Sequence, residues 1–429
     1  MTPSMFLNGS RNMGLFRRGG NNIYTYKMAK PAYDCIIVGG GMSGLHAALT
    51  LQKRHSDWNI AILEKYKNLG GRAQTYHVPD KDIHWEAGAG RICECQYKII
   101  GLVHKYGLHL SKIPKEKSVF NSVNIPFFIE PLQLLPQHIL EGHTLFELLK
   151  GIYGSKAKEI VEPFPYWAEI YSLRADLALK AFLHSELSHD HDFFIINEGF
   201  GEVVRHMREE FESKGGTVLV KMVVEGVERG EGSSTDLQVT FDKNKIKLRA
   251  NKVCLMALDV DSVRKIHGLG DLPVLKKLKT SPLLRIYAIF PEPWTLGRVV
   301  TGERIRYIIP IDAEKGVVMI SYTDGDDTKA YAKLIGSDFA LKKAVMADVH
   351  SLFPDVNIQD PTFIKAHYWP SGCTYWQPGH YDPVKESLAA CKPLGSLPGL
   401  FMCGESFSTR QTWVEGALDH TDICLAMIE

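Results

Sequence analysis

The chain has no apolar run near the ~18–20 residues that a membrane-crossing helix needs. Its eight cysteines, at 35, 93, 95, 254, 373, 391, 403 and 424, include no C-x-x-C pair. Neither a zinc site nor a disulfide framework is therefore expected, and reduced thiols in the cytoplasm are the expectation. The 17 histidines show no H-E-x-x-H spacing, and His189 and His191 in S-H-D-H-D read as a solvated loop. No Ser-His-Asp set and no metal-ligand set stands out. Net charge is +1, which argues for no nucleic-acid, membrane or acidic partner. There are no internal repeats. Residues 1–33 lack Asp and Glu altogether while carrying Arg11, Arg17, Arg18, Lys27 and Lys30. They read as a disordered basic tail, or as a transit peptide to an organelle.

What is present begins at Asp34. Asp34 to Gly44 reads D-C-I-I-V-G-G-G-M-S-G, a β-branched run followed by glycines 39, 41 and 44 at G-x-G-x-x-G spacing. A helix follows from Ser43 to Lys53. In such a unit the first glycine makes the turn, the second admits a pyrophosphate and the third lets helix and strand touch. The phosphates sit on the free N–H groups of the helix start, at Ser43. Asn59 to Leu63 reads as a second strand. Glu64 closes it, 20 residues past Gly44. An acid there accepts from ribose hydroxyls and disfavours a 2′-phosphate.

At 429 residues the chain is expected to form two domains, since single cores stop growing near ~250–300 residues. After Glu64 come Gly70, Gly71 and Arg72, a second backbone approach with a phosphate-reaching guanidinium. His84 to Cys93 gives another Gly/Ala loop. Residues 111–195 read as helical, over Leu132–Leu149 and Ala157–Leu183, the latter broken by Pro163 and Pro165. Strands are expected at Thr217–Glu228, Leu237–Phe241, Ile246–Leu248 and Lys252–Ala257. A second β-rich region starts at Arg285–Phe290. From Gly399 the opening style returns: strand, Gly404-Glu405, then a helix from Val414. The expected division is 34–110, 196–280 and 395–429 for a nucleotide domain, and 111–195 and 281–394 for a substrate domain.

Four motifs in order make the chain resemble the flavin-dependent amine oxidases, the monoamine, polyamine and L-amino acid oxidases. They are G-G-G-M-S-G with Glu64, G-G-R at 70–72, E-A-G-A-G-R at 86–91, and C-G-E with W-V-E-G-A at 403–417. The resemblance spans about residues 34 to 429. It implies an α/β fold: a discontinuous Rossmann-like FAD-binding domain and a substrate domain of mixed sheet plus helices. Carried over, Gly39, Gly41, Ser43, Gly44, Gly71 and Arg72 would bind the cofactor's phosphates, and Glu64 its ribose. Ala89, Gly90 and Arg91 would line the flavin. Val224 would contact adenine, and Gly404, Glu405 and Val414 would meet the ribityl and pyrimidine ends. A helix dipole at Val414 would stabilise charge on reduced flavin.

The chain departs from the family pattern in places. Tyr66 stands where the family has a basic residue. Arg285 stands where it has a strand-opening lysine that holds a water at the flavin. Cys373 sits near the position where monoamine oxidases tether FAD, in shorter spacing. Trp413, Tyr375 and Trp376 would form an aromatic wall around a substrate amine. The family implies hydride transfer from an amine to FAD, reoxidation by molecular oxygen and release of hydrogen peroxide. The loop around Arg91 most resembles the L-amino acid oxidases, where an arginine pairs with the substrate carboxylate. Arg91, Arg285, Trp413 and Tyr375 are the expected catalytic-site residues. A dehydrogenase or desaturase of the same fold, and a non-catalytic FAD-binding module, are the rival readings. Homodimer formation stays open.

Overall fold

The computed structural model describes residues 32–114, 125–162, 164, 167–184, 187 and 191–429. The basic start of the chain, Pro163, Pro165 and His189 lie outside the described residues.

The organising strand is Ala32–Val38, which begins inside the stretch expected to be a tail. It pairs in parallel with Ile60–Glu64 on one side and Asn244–Met256 on the other. Its side chains alternate between two cores. Ile36 and Val38 face one, Cys35 and Ile37 the other. A strand covered on both faces needs this unbroken apolar run. Thr217–Val220 extends the sheet in parallel beyond Ile60–Glu64, and Leu400–Met402 pairs in parallel with Asn244–Met256. So the chain's last strand returns beside its first. Three helices, Met42–Arg54, Phe200–Ser213 and Val414–Leu425, supply the second core with Leu45, Val203, Met207 and Leu418.

Where two strands were expected around 246–257, there is one of 13 residues, Asn244–Met256. Its first half pairs antiparallel with Thr235–Phe241, and its second half runs parallel to Ala32–Val38. Local pattern cannot reveal that one strand changes partners. The hairpin turn holds Asp242 and Lys243 at φ 46° and 65°, the backbone of a primed two-residue turn.

The helical region is more broken than its apolar spacing predicts. Leu132–Leu149 is a short turn at Glu130–Leu134 and two helices, Gln137–Gly142 and Leu145–Tyr153. Pro136 caps the first, and a Thr144–Glu147 capping box starts the second. Residues 111–195 also contain strand: Phe193–Ile196 pairs with Leu110–Lys112 and with Ile92–Cys93.

The second sheet has five antiparallel strands in the order 299–300, 307–312, 317–324, 278–289 and 363–376. Arg285 does not open its strand. It lies mid-strand in Leu278–Ile289, because pairing with Phe363–Trp376 carries the strand seven residues further back. Alternation puts Leu284, Ile286 and Ala288 against the helix Asp338–Leu352. Arg285 and Tyr287 then face the loop at Glu86–Gly90.

The glycine turn is fixed by contact. A Cβ at Gly44 would stand 1.9 Å from the Gly39 carbonyl oxygen, and Gly39 itself sits at φ +104°. Gly44→Ala should therefore cost about 3 kcal/mol or more in urea unfolding. Gly101→Ala, on an exposed helix face with nothing within 4 Å, should be neutral or gain up to ~1 kcal/mol. Equal midpoints for the two variants would refute the close approach.

Candidate functional site

The helix Met42–Arg54 starts at Gly41 with no side-chain cap and no acid in its first turn. Its free N–H groups are thus left for an anion. Gly41 and Gly71 face each other. A Cβ on Gly41 would meet nothing nearer than 3.9 Å, and one on Gly71 would approach the Gly41 Cα at 3.5 Å. This is a backbone-lined gap beside an uncapped helix start. Ser43 is buried on that first turn, its hydroxyl donating to the Ala417 carbonyl at 3.3 Å.

Glu64 is buried and already held. Its Oε2 accepts from the Gly40 N–H and its Oε1 from the Tyr66 N–H, both at 2.8 Å. A carboxylate has about four acceptor sites, so two remain for ribose hydroxyls. The Tyr66 backbone accepts from Lys221 N–H, which brings the strand Met222–Arg229 and Val224 to the same end of the sheet.

Arg72 was expected to reach a phosphate. Its guanidinium donates to the Glu405 carboxylate at 2.8 Å and to the Gly372 carbonyl at 2.9 Å. Glu405, 6% exposed, also accepts from Thr412 N–H at 2.9 Å and Thr374 N–H at 3.3 Å. The G-G-R turn also carries the next loop. Ala89 N–H donates to the Arg72 carbonyl, and a Cβ on Gly88 would collide with it at 1.8 Å. Gly404, at φ +128°, places its N–H 3.3 Å from His420 Nδ1.

The helix Val414–Leu425 also begins without a side-chain cap. Its first-turn acid, Glu415, is buried and turned aside, accepting from Lys98 and Ile99 N–H at 2.9 and 3.0 Å. Glu415 thus caps the helix Tyr97–Lys105 and leaves its own helix start open to negative charge. The preceding Thr412 is held at φ +72°, uncommon for a β-branched residue. These features fit FAD: two free helix starts, a glycine gap and a held ribose acid.

Arg285 meets the loop Glu86–Gly90 directly. Its Nη1 donates to the Glu86 carbonyl at 3.2 Å and lies 2.9 Å from where a Gly90 Cβ would be. Its guanidinium stands 5.2 Å over the Tyr322 ring, and its Nε has no partner among the described residues. Burial, then the Lys365 and Arg285 charges, pushes nearby His367 down to about 4. Trp85 Nε1 donates to that neutral ring at 2.9 Å.

Arg91 sits against an aromatic face, 4.8 Å from the Phe193 centroid and 5.4 Å from that of Trp413. Its charge acts on Glu169, and Glu86 instead binds Thr75 and Phe200 N–H. Trp413 and Tyr375 line one cavity together with Glu169, Leu173, Leu177 and Thr412. Trp376 does not. Fully buried, its Nε1 donates to the Ser408 carbonyl at 2.9 Å, a packing role. Cys373 lies within reach of the Arg72 and Glu405 charges, its thiol raised by burial.

The sequence reading missed Glu169 and Asp324. Glu169 is 7% exposed, its carboxyl hydrogen-bonded by Tyr375, and its Oε2 has no partner among the described residues. Burial, then the charge of Asp324, pushes Glu169 up to about 8. Burial pushes Asp324 up to about 7. The one available signal was an acid inside the apolar stretch W-A-E-I-Y at 167–171. Asp324 looks like an ordinary strand end.

Arg72→Ala would strand the Glu405 charge. The expected loss is about 2–3 kcal/mol in denaturant unfolding, below the full buried-pair value because Arg72 is 31% exposed. Arg72→Lys should recover only part, lacking the forked donor. An Arg72→Ala protein as stable as the parent would show that the ion pair is not formed.

Comparison with known proteins follows this geometry. The family profile described as flavin containing amine oxidoreductase matches residues 147–420, and that of an NAD(P)-binding Rossmann-like domain matches residues 37–121. A flavin-containing amine oxidase of Danio rerio is 37% identical over 97 residues, 22% of this chain and 18% of that protein. An L-amino-acid oxidase of Bothrops pauloensis is 33% identical over 81 residues, 19% of this chain and 16% of that protein. The matched segments thus span less than a fifth of these relatives. A solved structure of a redesigned putrescine oxidase has a TM-score of 0.71 at 16% identity, covering 93% of this chain and 99% of the other. Among the described residues, no helix is long and apolar enough to cross a membrane. With a profile match over more than half its length, the chain belongs to the family of flavin-containing amine oxidoreductases.

Proposed function

We propose that the protein is an FAD-dependent amine oxidase whose substrate carries a second cation, as in a diamine or polyamine. The observation that carries this reading is Glu169, a buried carboxyl with an unpartnered oxygen on a cavity shared with Trp413 and Tyr375. Such an oxygen is costly to bury unless a ligand completes it. Asp324 adds a second raised acid beside it. A buried acid with a second, part-buried acid near it disfavours an anionic substrate and favours an ammonium.

The chain's residues divide the work. Glu169 holds the distal ammonium and ionises as it arrives, since a neighbouring cation favours the carboxylate, and Asp324 adds negative charge from the adjoining pocket. Trp413, Tyr375 and Phe193 exclude water from the reacting amine, which favours its neutral form. Arg285 stays protonated and offers its unpartnered Nε–H to a water beside Gly90. Bound FAD would supply the redox chemistry, taking a hydride equivalent and passing its electrons to oxygen as hydrogen peroxide. The imine then hydrolyses to a carbonyl compound and ammonia or an amine. The second reading is an L-amino acid substrate, with Arg91 pairing its carboxylate. It is favoured by the place of Arg91 beside Trp413 and by the likeness to L-amino-acid oxidases.

One substrate panel decides. Under anaerobic conditions a diamine should bleach the flavin faster than a monoamine or α-amino acid of equal chain length, and air should then yield peroxide. Glu169→Gln should raise KM for the diamine by roughly tenfold or more. Arg91→Ala should cut kcat/KM for an α-amino acid roughly thirty-fold only if the second reading holds. Bleaching by none of the panel would sink both readings, and bleaching without peroxide would indicate a dehydrogenase.

The acids also set a pH dependence. Their folded values lie above the ordinary ~4.3, so the folded state binds more protons than the unfolded state. Stability contributed by the two neutral carboxyls is full at low pH and falls as pH rises towards about 7 to 8. Glu169→Gln should flatten the fall in melting temperature between about pH 5 and 8. An unaltered slope would show that Glu169 is not buried as an acid.

A further inference from the structure

Cys93 and Cys95 bring their sulfurs to 2.6 Å of each other without being joined in a disulfide. The cause is local. The Gln96 N–H donates to the Cys93 carbonyl at 2.9 Å, closing a tight turn that folds Cys95 back over Cys93. Cys95 N–H also points at the Cys93 sulfur, at 3.4 Å. His191, held through Nδ1 by Glu94 at 3.2 Å, completes a cluster whose ligand atoms all lie within 4.8 Å. Cys93 is buried, whereas Cys95 and His191 are part-exposed. Cys93 belongs to the short strand that pairs with Phe193 and Phe194 and follows Arg91 directly.

We propose that Cys93 and Cys95 are a redox-active dithiol that peroxide oxidises to a disulfide. The sulfurs need to close only from 2.6 Å to about 2.05 Å. Two thiolates on a tetrahedral zinc ion at about 2.3 Å stand about 3.8 Å apart, so a metal requires the pair to open. The part-exposed Cys95 meets peroxide first. Its thiolate attacks one oxygen, the O–O bond breaks, and a sulfenic acid and one water result. Cys93 then attacks the sulfenic sulfur, forming the S–S bond and releasing a second water. Two thiols and one peroxide give one disulfide and two waters, and the two electrons pass from sulfur to oxygen. His191 is near enough to take the thiol proton through one bridging water. Peroxide as the natural oxidant rests on the oxidase reading above. The chemistry of the thiols does not, because added peroxide tests it alone.

The test treats the full chain as purified with equimolar hydrogen peroxide, then alkylates it and weighs its peptides. The expected result is loss of about 2 Da from the peptide bearing Cys93 and Cys95, with alkylation restored by dithiothreitol. Cys93→Ser should instead leave Cys95 as a sulfenic acid that dimedone traps, and Cys95→Ala should abolish the 2 Da loss. The proposal is overturned if both wild-type thiols still alkylate, or if the peptide gains oxygen without losing two hydrogens. It is equally overturned if one zinc per chain copurifies and protects the pair. Absent amine turnover with an intact 2 Da loss would fault the oxidase reading and leave the dithiol standing.

Discussion

The ion pair between Arg72 and Glu405 joins residues 333 apart in sequence and closes the structure on itself. Arg72 ends the second glycine turn. Glu405 follows the last strand of the first sheet. Each has further partners on the long strand Phe363–Trp376, the Gly372 carbonyl for one and the Thr374 N–H for the other. One charge pair therefore fixes three segments, and the loop Glu86–Arg91 hangs from the Arg72 carbonyl. A half-buried pair like this is worth little as net stability, but it admits one geometry.

Charge placement elsewhere follows the same logic. Glu415 and Glu64 are buried acids with both carboxylate oxygens held by backbone N–H groups. Glu169 is a buried acid that is not fully occupied. The contrast separates acids whose two oxygens are both held from one with an oxygen left over. It also explains why the aromatic wall is selective: Tyr375 bonds Glu169, while Trp376, one residue on, turns into the core. Adjacent strand residues point to opposite faces, so only one of two neighbouring aromatics can reach the cavity.

The Arg91 loop joins the aromatic stack to the thiol pair. Arg91 stacks on Phe193 and Trp413, and the next two residues form the strand that pairs with Phe193.

The sequence by itself determined the first strand, the glycine turn, its helix and Glu64, because the apolar run, the glycine spacing, the close approach of Gly44 to Gly39 and the bonds of Glu64 to Gly40 and Tyr66 lie within one local unit. It also placed the return of the chain through Gly404, Glu405 and the helix at Val414, whose motifs are local. It could not tell that Asn244–Met256 is one strand with two sets of partners, nor that Arg285 lies mid-strand, since pairing is set by distant neighbours. It could not show that the Arg72 guanidinium also binds a carboxylate 333 residues away. Glu169 and Asp324 carried almost no local signal. An acid on a helix or at a strand end looks the same whether water or protein surrounds it. Only the packing of the helix at Glu169 against Tyr375 and the segment before Val414 decided that this acid is removed from water, and burial is what turns a common side chain into a site.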